Sequence, residues 1–123
     1  MGGTGLESIR LETGLREIAG KKVLDVVGEI DVYTAPQFRE AVNQILEGGQ
    51  KHLVINMAGV TYMDSSGFGT LLSATKRLRP SGGTVNLVKC TAAIDRILRI
   101  TRLDAIFSVF DSVEDAMKAL PKS

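Results

Sequence analysis

The chain has 123 residues, 44% of them hydrophobic and 24% charged, and its fifteen basic residues against fourteen acidic ones leave a formal charge of +1. That length fits one domain with one main core, and so even a charge balance gives no electrostatic case for nucleic acid or anionic lipid as the main partner. Cys90 is the only cysteine, which excludes an internal disulfide and a zinc cluster, and no apolar run approaches the length of a membrane span.

The start, Met1-Gly2-Gly3-Thr4-Gly5, has no signal-peptide core, and Leu6 stands where a myristoylation signal requires Ser or Thr. Residues 1–5 read as a flexible end and the cytoplasm as the simplest address. Ile9, Leu11 and Thr13 alternate with Arg10 and Glu12, which is strand periodicity. A turn at Ala19-Gly20-Lys21-Lys22 leads to a second strand, with Leu24, Val26 and Ile30 on one face and Asp25 and Glu29 on the other. The two strands are expected to form an antiparallel hairpin.

Thr34 is placed to open the first helix, with Gln37 completing a capping box and Tyr33 and Phe38 a hydrophobic staple. Phe38, Ala41, Val42 and Ile45 form its apolar stripe, and Gly48-Gly49 ends it. Leu53-Val54-Ile55 with Met57 reads as a strand covered on both faces. A second helix starts near Ser65 or Ser66, carries Phe68, Leu71, Leu72, Thr75 and Leu78, and stops at Pro80 with Gly82-Gly83. Thr84 to Val88 is a short strand. Thr91 caps a third helix carrying Ile94, Ile97 and Leu98. Ile106 to Phe110 is a last strand, and Asp111 with Glu114 forms an acidic capping pair for a last helix bearing Val113, Ala116, Met117 and Leu120. The order β β α β α β α β α predicts an α/β domain with a parallel or mixed sheet of four to five strands and about four helices.

The segment Met63-Asp64-Ser65-Ser66-Gly67-Phe68-Gly69 joins an apolar strand to an amphipathic helix. Its hydroxyls fall where unpaired N–H groups and the positive end of a helix dipole point outward. Ser65 is either a helix cap, worth ~1 kcal/mol, or an uncovered docking site. Glycines in the first turn cost about 1 kcal/mol each relative to alanine, which close approach by another backbone would explain. Local physics leaves the two readings even.

Enzyme readings fare worse. Neither serine has the two flanking glycines of a nucleophile elbow. His52, the only histidine, opens the third strand, where an edge or surface role is the simpler one. No Walker loop occurs, and Gly67-Phe68-Gly69 lacks the third glycine of a dinucleotide fingerprint. Asp25, Glu29, Asp31 and Asp64 read as a solvated face and not as a carboxylate centre. Lys76, Arg77 and Arg79 suit a helix C-terminus, and Arg96, Arg99 and Arg102 suit a solvated helix face. No catalytic residue, cofactor site or metal site is therefore assigned.

Val54-Ile55-Asn56, leading to Val60-Thr61-Tyr62-Met63-Asp64-Ser65-Ser66-Gly67-Phe68-Gly69, resembles the signature of bacterial anti-sigma factor antagonists, the STAS-domain proteins. Gly28-Glu29-Ile30-Asp31 running into Tyr33-Thr34-Ala35-Pro36 resembles a second element of that family. The likeness implies a single STAS domain over residues 6–120 and a non-enzymatic partner switch. In the family the unmodified antagonist binds an anti-sigma factor that is also a serine kinase, ATP-binding and of histidine-kinase-type fold, and so frees a sigma factor. Phosphorylation of the first serine, here Ser65, dissociates the complex, and a metal-dependent, PP2C-type phosphatase restores it. By the same mapping Asp31, Tyr33, Thr34, Asp64, Ser65, Ser66 and Gly67 form the docking surface. No direct contact with nucleic acid or membrane is implied. Val32-Tyr33 stands where some relatives carry a more polar pair. The alternative is a STAS module in a stressosome-like scaffold or another signalling assembly, and a small hydrolase or nucleotide-binding protein is the remaining reading.

Overall fold

The computed structural model describes residues 10–121. The expected flexible start at residues 1–5 and the first strand residues before Arg10 lie outside the described part. Strands β1 (Leu11–Ile18) and β2 (Lys21–Ile30) pair antiparallel across a two-residue turn. Ala19 and Gly20 both have positive φ, at 53° and 81°, as the tightest hairpin turns require. Lys21 and Lys22 therefore belong to β2 and not to the turn. Helix α1 (Ala35–Glu47), strand β3 (His52–Met63), helix α2 (Ser65–Leu78), strand β4 (Thr84–Val88), helix α3 (Ala92–Ile100), strand β5 (Ser108–Phe110) and helix α4 (Val113–Ala119) follow, with 3-10 turns at Arg79–Ser81 and Leu103–Ala105.

The sheet runs β1-β2-β3-β4-β5, parallel from β2 onward. Parallel crossovers are right-handed in nearly all proteins. Because the strand order advances in one direction, three such crossovers place α1, α2 and α3 on the same face. The main core agrees: Leu24, Val26, Leu53, Ile55, Val85 and Leu87 from the strands meet Phe38, Ile45, Leu71 and Leu98 from those helices. Helix α4, the last element among the described residues, covers the other face. There Val23, Val54 and Val88 pack on Ala116 and Leu120. The apolar run at Leu53-Val54-Ile55 is thus explained by two cores on one strand.

Strand β3 is longer than the sequence pattern suggested. Its register against β2 slips twice, between Asp25 and Val27 and between Gly28 and Glu29, so residues 23–30 of β2 face residues 54–63 of β3. Each slip is a β-bulge that adds one residue to β3. Met57, Val60 and Met63 consequently all face the main core, at a spacing of three in place of two.

Two expected helix caps are corrected. The Thr34 side chain makes no capping bond to α1. Asp31 holds that turn, because its carboxylate accepts the N–H groups of Tyr33 at 2.9 Å and Thr34 at 3.1 Å. The Gln37 amide instead donates to the Leu11 carbonyl at 3.1 Å, and Tyr33 is 81% exposed while Phe38 is fully buried, so no staple forms. At α4 the cap is Ser112, whose hydroxyl accepts the Asp115 N–H at 3.0 Å, and not Asp111. Ile106 and Phe107 precede the last strand. The sequence-predicted Thr91 cap of α3 is present.

Candidate functional site

The ends of the two central strands bring the candidate residues together. Ile30 is the partner of Met63 in the sheet register, and the Asp64 N–H donates to the Ile30 carbonyl at 3.0 Å. The turn after β2 and the start of α2 therefore share one surface at the carboxyl ends of parallel strands, the usual place for functional groups in such sheets.

Gly28 sets the approach. Its φ is +122°, a conformation that favours glycine, and a side chain there would strike the Arg10 carbonyl. That carbonyl accepts the Glu29 N–H at 2.7 Å. Arg10 then forms ion pairs with Glu29, at 3.1 Å, and with Asp31, and its guanidinium lies 5.9 Å from the centre of the Tyr33 ring, within cation–π range. Burial alone would raise the Asp31 carboxyl. The Thr34 and Tyr33 N–H groups and the Arg10 charge outweigh it and hold the carboxyl below its ordinary 3.8. The Thr34 hydroxyl donates to the Glu29 carbonyl at 2.8 Å and accepts the Asp31 N–H at 2.9 Å.

Helix α2 begins at Ser65, and its cap is Asp64. Asp64 has extended backbone, and its carboxylate accepts the Ser66 N–H at 2.8 Å. This removes the capping reading of Ser65. The capping position is already filled, and the Ser65 hydroxyl has no hydrogen-bond partner among the described residues while its side chain is exposed. Gly67 is buried because the core needs its space: an added Cβ would lie 2.7 Å from Met63 Sδ and 2.8 Å from Ile30 Cγ2. Gly69 is different, with an exposed position and nothing within 4 Å of where its Cβ would be.

Of the residues expected at the surface, Tyr33 and Ser65 are exposed, Asp64 and Ser66 are half-buried, and Asp31, Thr34 and Gly67 are buried. The buried three shape the turns that present the others. Val32 and Tyr62, 62% and 51% exposed, add apolar area at the same strand ends. Arg10 and Tyr62 were not singled out from the sequence. Arg10 lacked any local motif, whereas Tyr62, an aromatic two residues before the cap, was a readable signal. His52 sits at the opposite end of β3, roughly 30 Å away at ~3.3 Å per residue, with Nδ1 2.8 Å from Thr84 Oγ1. It cannot join Ser65 in catalysis. No group of three or more metal-ligating side chains occurs among the described residues.

A model of the STAS domain matches residues 13–116. The chain belongs to the STAS-domain family, among the anti-sigma factor antagonists. The STAS chain is 30% identical over 89 residues to the anti-sigma-B factor antagonist of Staphylococcus aureus, covering 72% of this chain and 82% of that protein. An anti-sigma factor antagonist from Mycobacterium paratuberculosis superposes with a TM-score of 0.82 at 28% identity, over 93% of this chain and 97% of that one. The Bacillus cell fate determinant SpoIIAA in its phosphorylated form shares the STAS fold, with a TM-score of 0.67 at 21% identity over 87% of this chain and 97% of that one. The family is a regulatory, non-enzymatic kind.

Proposed function

We propose that this STAS protein binds an anti-sigma factor that is also an ATP-dependent serine kinase, through the surface carrying Tyr33 and Ser65, and so frees a sigma factor. Phosphorylation of Ser65 by that kinase ends the complex, and a PP2C-type phosphatase restores it. The observation that supports this most is the Ser65 hydroxyl: exposed, unpartnered among the described residues, and spared from capping by Asp64.

A phosphate there adds about −1.5 to −2 charges. The N-terminus of α2 tolerates that charge through its dipole and free N–H groups, so the host fold persists. A partner sealed over Ser65 must instead desolvate the dianion beside Asp64. A loss of about 3 kcal/mol of binding corresponds to a weakening on the order of a hundredfold. Asp31, Thr34 and Gly67 act by holding the surface in shape, while Tyr33, Ser65 and the exposed edges of Asp64 and Ser66 make the contacts.

The test uses the cognate kinase. Intact mass spectrometry after incubation with ATP is expected to show one phosphate, mapped to Ser65 and absent from Ser65→Ala. Calorimetry is expected to show Ser65→Ala binding the kinase and Ser65→Asp binding at least about a hundredfold more weakly. Equal affinity of Ser65→Asp and the unmodified protein would refute the switch.

A further inference from the structure

Strand β3 outruns one of its neighbours. Pairing with β4 ends at Asn56, opposite Val88, whereas pairing with β2 continues to Met63. Residues 57–63 therefore have a strand on one side only, over roughly 20 Å at ~3.3 Å per residue. The Asn56 side chain closes the first part of this open edge, because its Oδ1 accepts the Ala58 N–H at 3.1 Å. The second bulge leaves the rest open. Val60 pairs with Gly28 and Tyr62 with Glu29, so Thr61 is the extra residue and has no partner in β2. Thr61 is exposed, and its hydroxyl donates to the Gly28 carbonyl at 3.3 Å. Its main-chain N–H and C=O have no strand partner on either side among the described residues.

Unpaired strand edges attract other chains, and proteins guard them with charge, proline or shortness. The two outer edges of this sheet are guarded: β1 carries Glu12, Arg16 and Glu17, and β5 has only three residues. Residues 57–63, Met-Ala-Gly-Val-Thr-Tyr-Met, hold no charge and no proline, and only the two bulges bend them. Valine, threonine and tyrosine favour extended backbone. Val27, paired with Gly59, and Tyr62 are both exposed and leave apolar surface next to the edge. The edge runs directly into Asp64 and Ser65, so it is continuous with the Ser65 surface.

Unpaired N–H and C=O groups in a row select an extended polypeptide as the occupant. A second copy fits poorly. Antiparallel pairing of two β3 edges would bring each copy's β4 against the start of the other's α2, because β4 lies on the same edge of β3. That arrangement competes with docking at Ser65. We propose that the open edge of β3 around Thr61 receives an extended segment of the anti-sigma factor, added as a short strand beside Ser65. This rests on the anti-sigma factor being the partner at Ser65. Main-chain bonds at Thr61 hold the segment, and Val27 and Tyr62 supply the apolar contacts.

The test is amide hydrogen exchange, followed by NMR on the full unmodified chain, free and saturated with the cognate kinase, with ADP in place of ATP so that Ser65 stays unmodified. In the free chain the Thr61 amide is expected to exchange rapidly, while Val54 and Ile55 in the middle of the sheet are protected. In the complex the Thr61 amide is expected to slow at least about tenfold. Thr61→Pro removes that N–H at a position where an edge tolerates proline, and is expected to bind the kinase at least about tenfold more weakly. Thr61→Ala keeps the main chain and is expected to stay within about threefold of the wild type. The exchange measurement uses the unaltered chain, so it decides the matter even if Thr61→Pro does not fold. A Thr61 amide already protected in the dilute free chain, or unchanged in the saturated complex, would overturn strand addition and leave the switch at Ser65 standing. Protection that grows with the concentration of the chain alone would assign the edge to a second copy and overturn it as well. A kinase that forms no complex would sink both readings together.

Discussion

Two glycines two residues apart on α2 are expected to respond to the same substitution with opposite sign. Gly67→Ala drives a methyl group to 2.7 Å from Met63 Sδ and 2.8 Å from Ile30 Cγ2. Met63 can give at its flexible end, but Ile30 is fully buried in the sheet and cannot. Overpacking of this kind costs about 1–3 kcal/mol, and the small propensity gain in the first turn does not recover it. Gly69→Ala meets nothing within 4 Å and lies inside the helix, so it is expected to stabilise by about 1 kcal/mol. The two variants should therefore separate by roughly 2–4 kcal/mol. Urea denaturation measures this, with an unchanged slope confirming that the denatured state is comparable. In thermal unfolding Gly69→Ala should raise Tm by about 3–6 °C. A destabilised Gly69→Ala, or a neutral Gly67→Ala, would refute the assignment of one glycine to internal packing and the other to open surface.

Asp64→Ala is expected to cost about 1 kcal/mol in the same assay, and Asp64→Asn only a few tenths, since either side-chain oxygen can accept the Ser66 N–H. The Asp31 carboxyl sits below its unfolded value, so its contribution is complete above 3.8 and is lost as pH falls through the folded pKa. Urea midpoints of the wild type should consequently fall on acidification below about pH 4 more steeply than those of Asp31→Asn. Burial, with a further push from Asp95, raises the Cys90 thiol to about 11. A thiol reagent at about pH 8 should label the native chain more slowly than the urea-unfolded one, and equal rates would contradict the raised thiol pKa of the half-buried Cys90.

The element order was readable because each helix carries a stripe and each strand is bounded by glycine, proline or a turn. The Asp-Ser-Ser-Gly element was readable as the junction of a strand with a helix, although not its internal division of labour. An aspartate and a serine in succession are both good caps, and only the extended backbone of Asp64 assigns the role to it. The Thr34–Gln37 pair satisfied a local spacing rule, but Asp31 supplied a charged acceptor to the same turn and a strand carbonyl at Leu11 recruited Gln37. That carbonyl is distant in sequence, so no local rule can weigh it. The full length of β3 was hidden because strand reading assumes a period of two. The apolar residues at Met57, Val60 and Met63 keep a period of three through the two bulges.

The paired irregularities of β3 act as a counting device. One extra residue turns the following side chains to the opposite side of the sheet, and a second turns them back, so Met63 keeps the parity of Met57 although Val60 breaks it. Deleting a single residue between Ala58 and Thr61 would leave an odd count, swing Met63 out toward solvent and rotate the whole start of α2 away from the turn at Asp31. Shortening the Arg79–Ser81 connection upsets no such count. Among one-residue deletions, those in this strand should therefore be the least tolerated by the surface around Ser65.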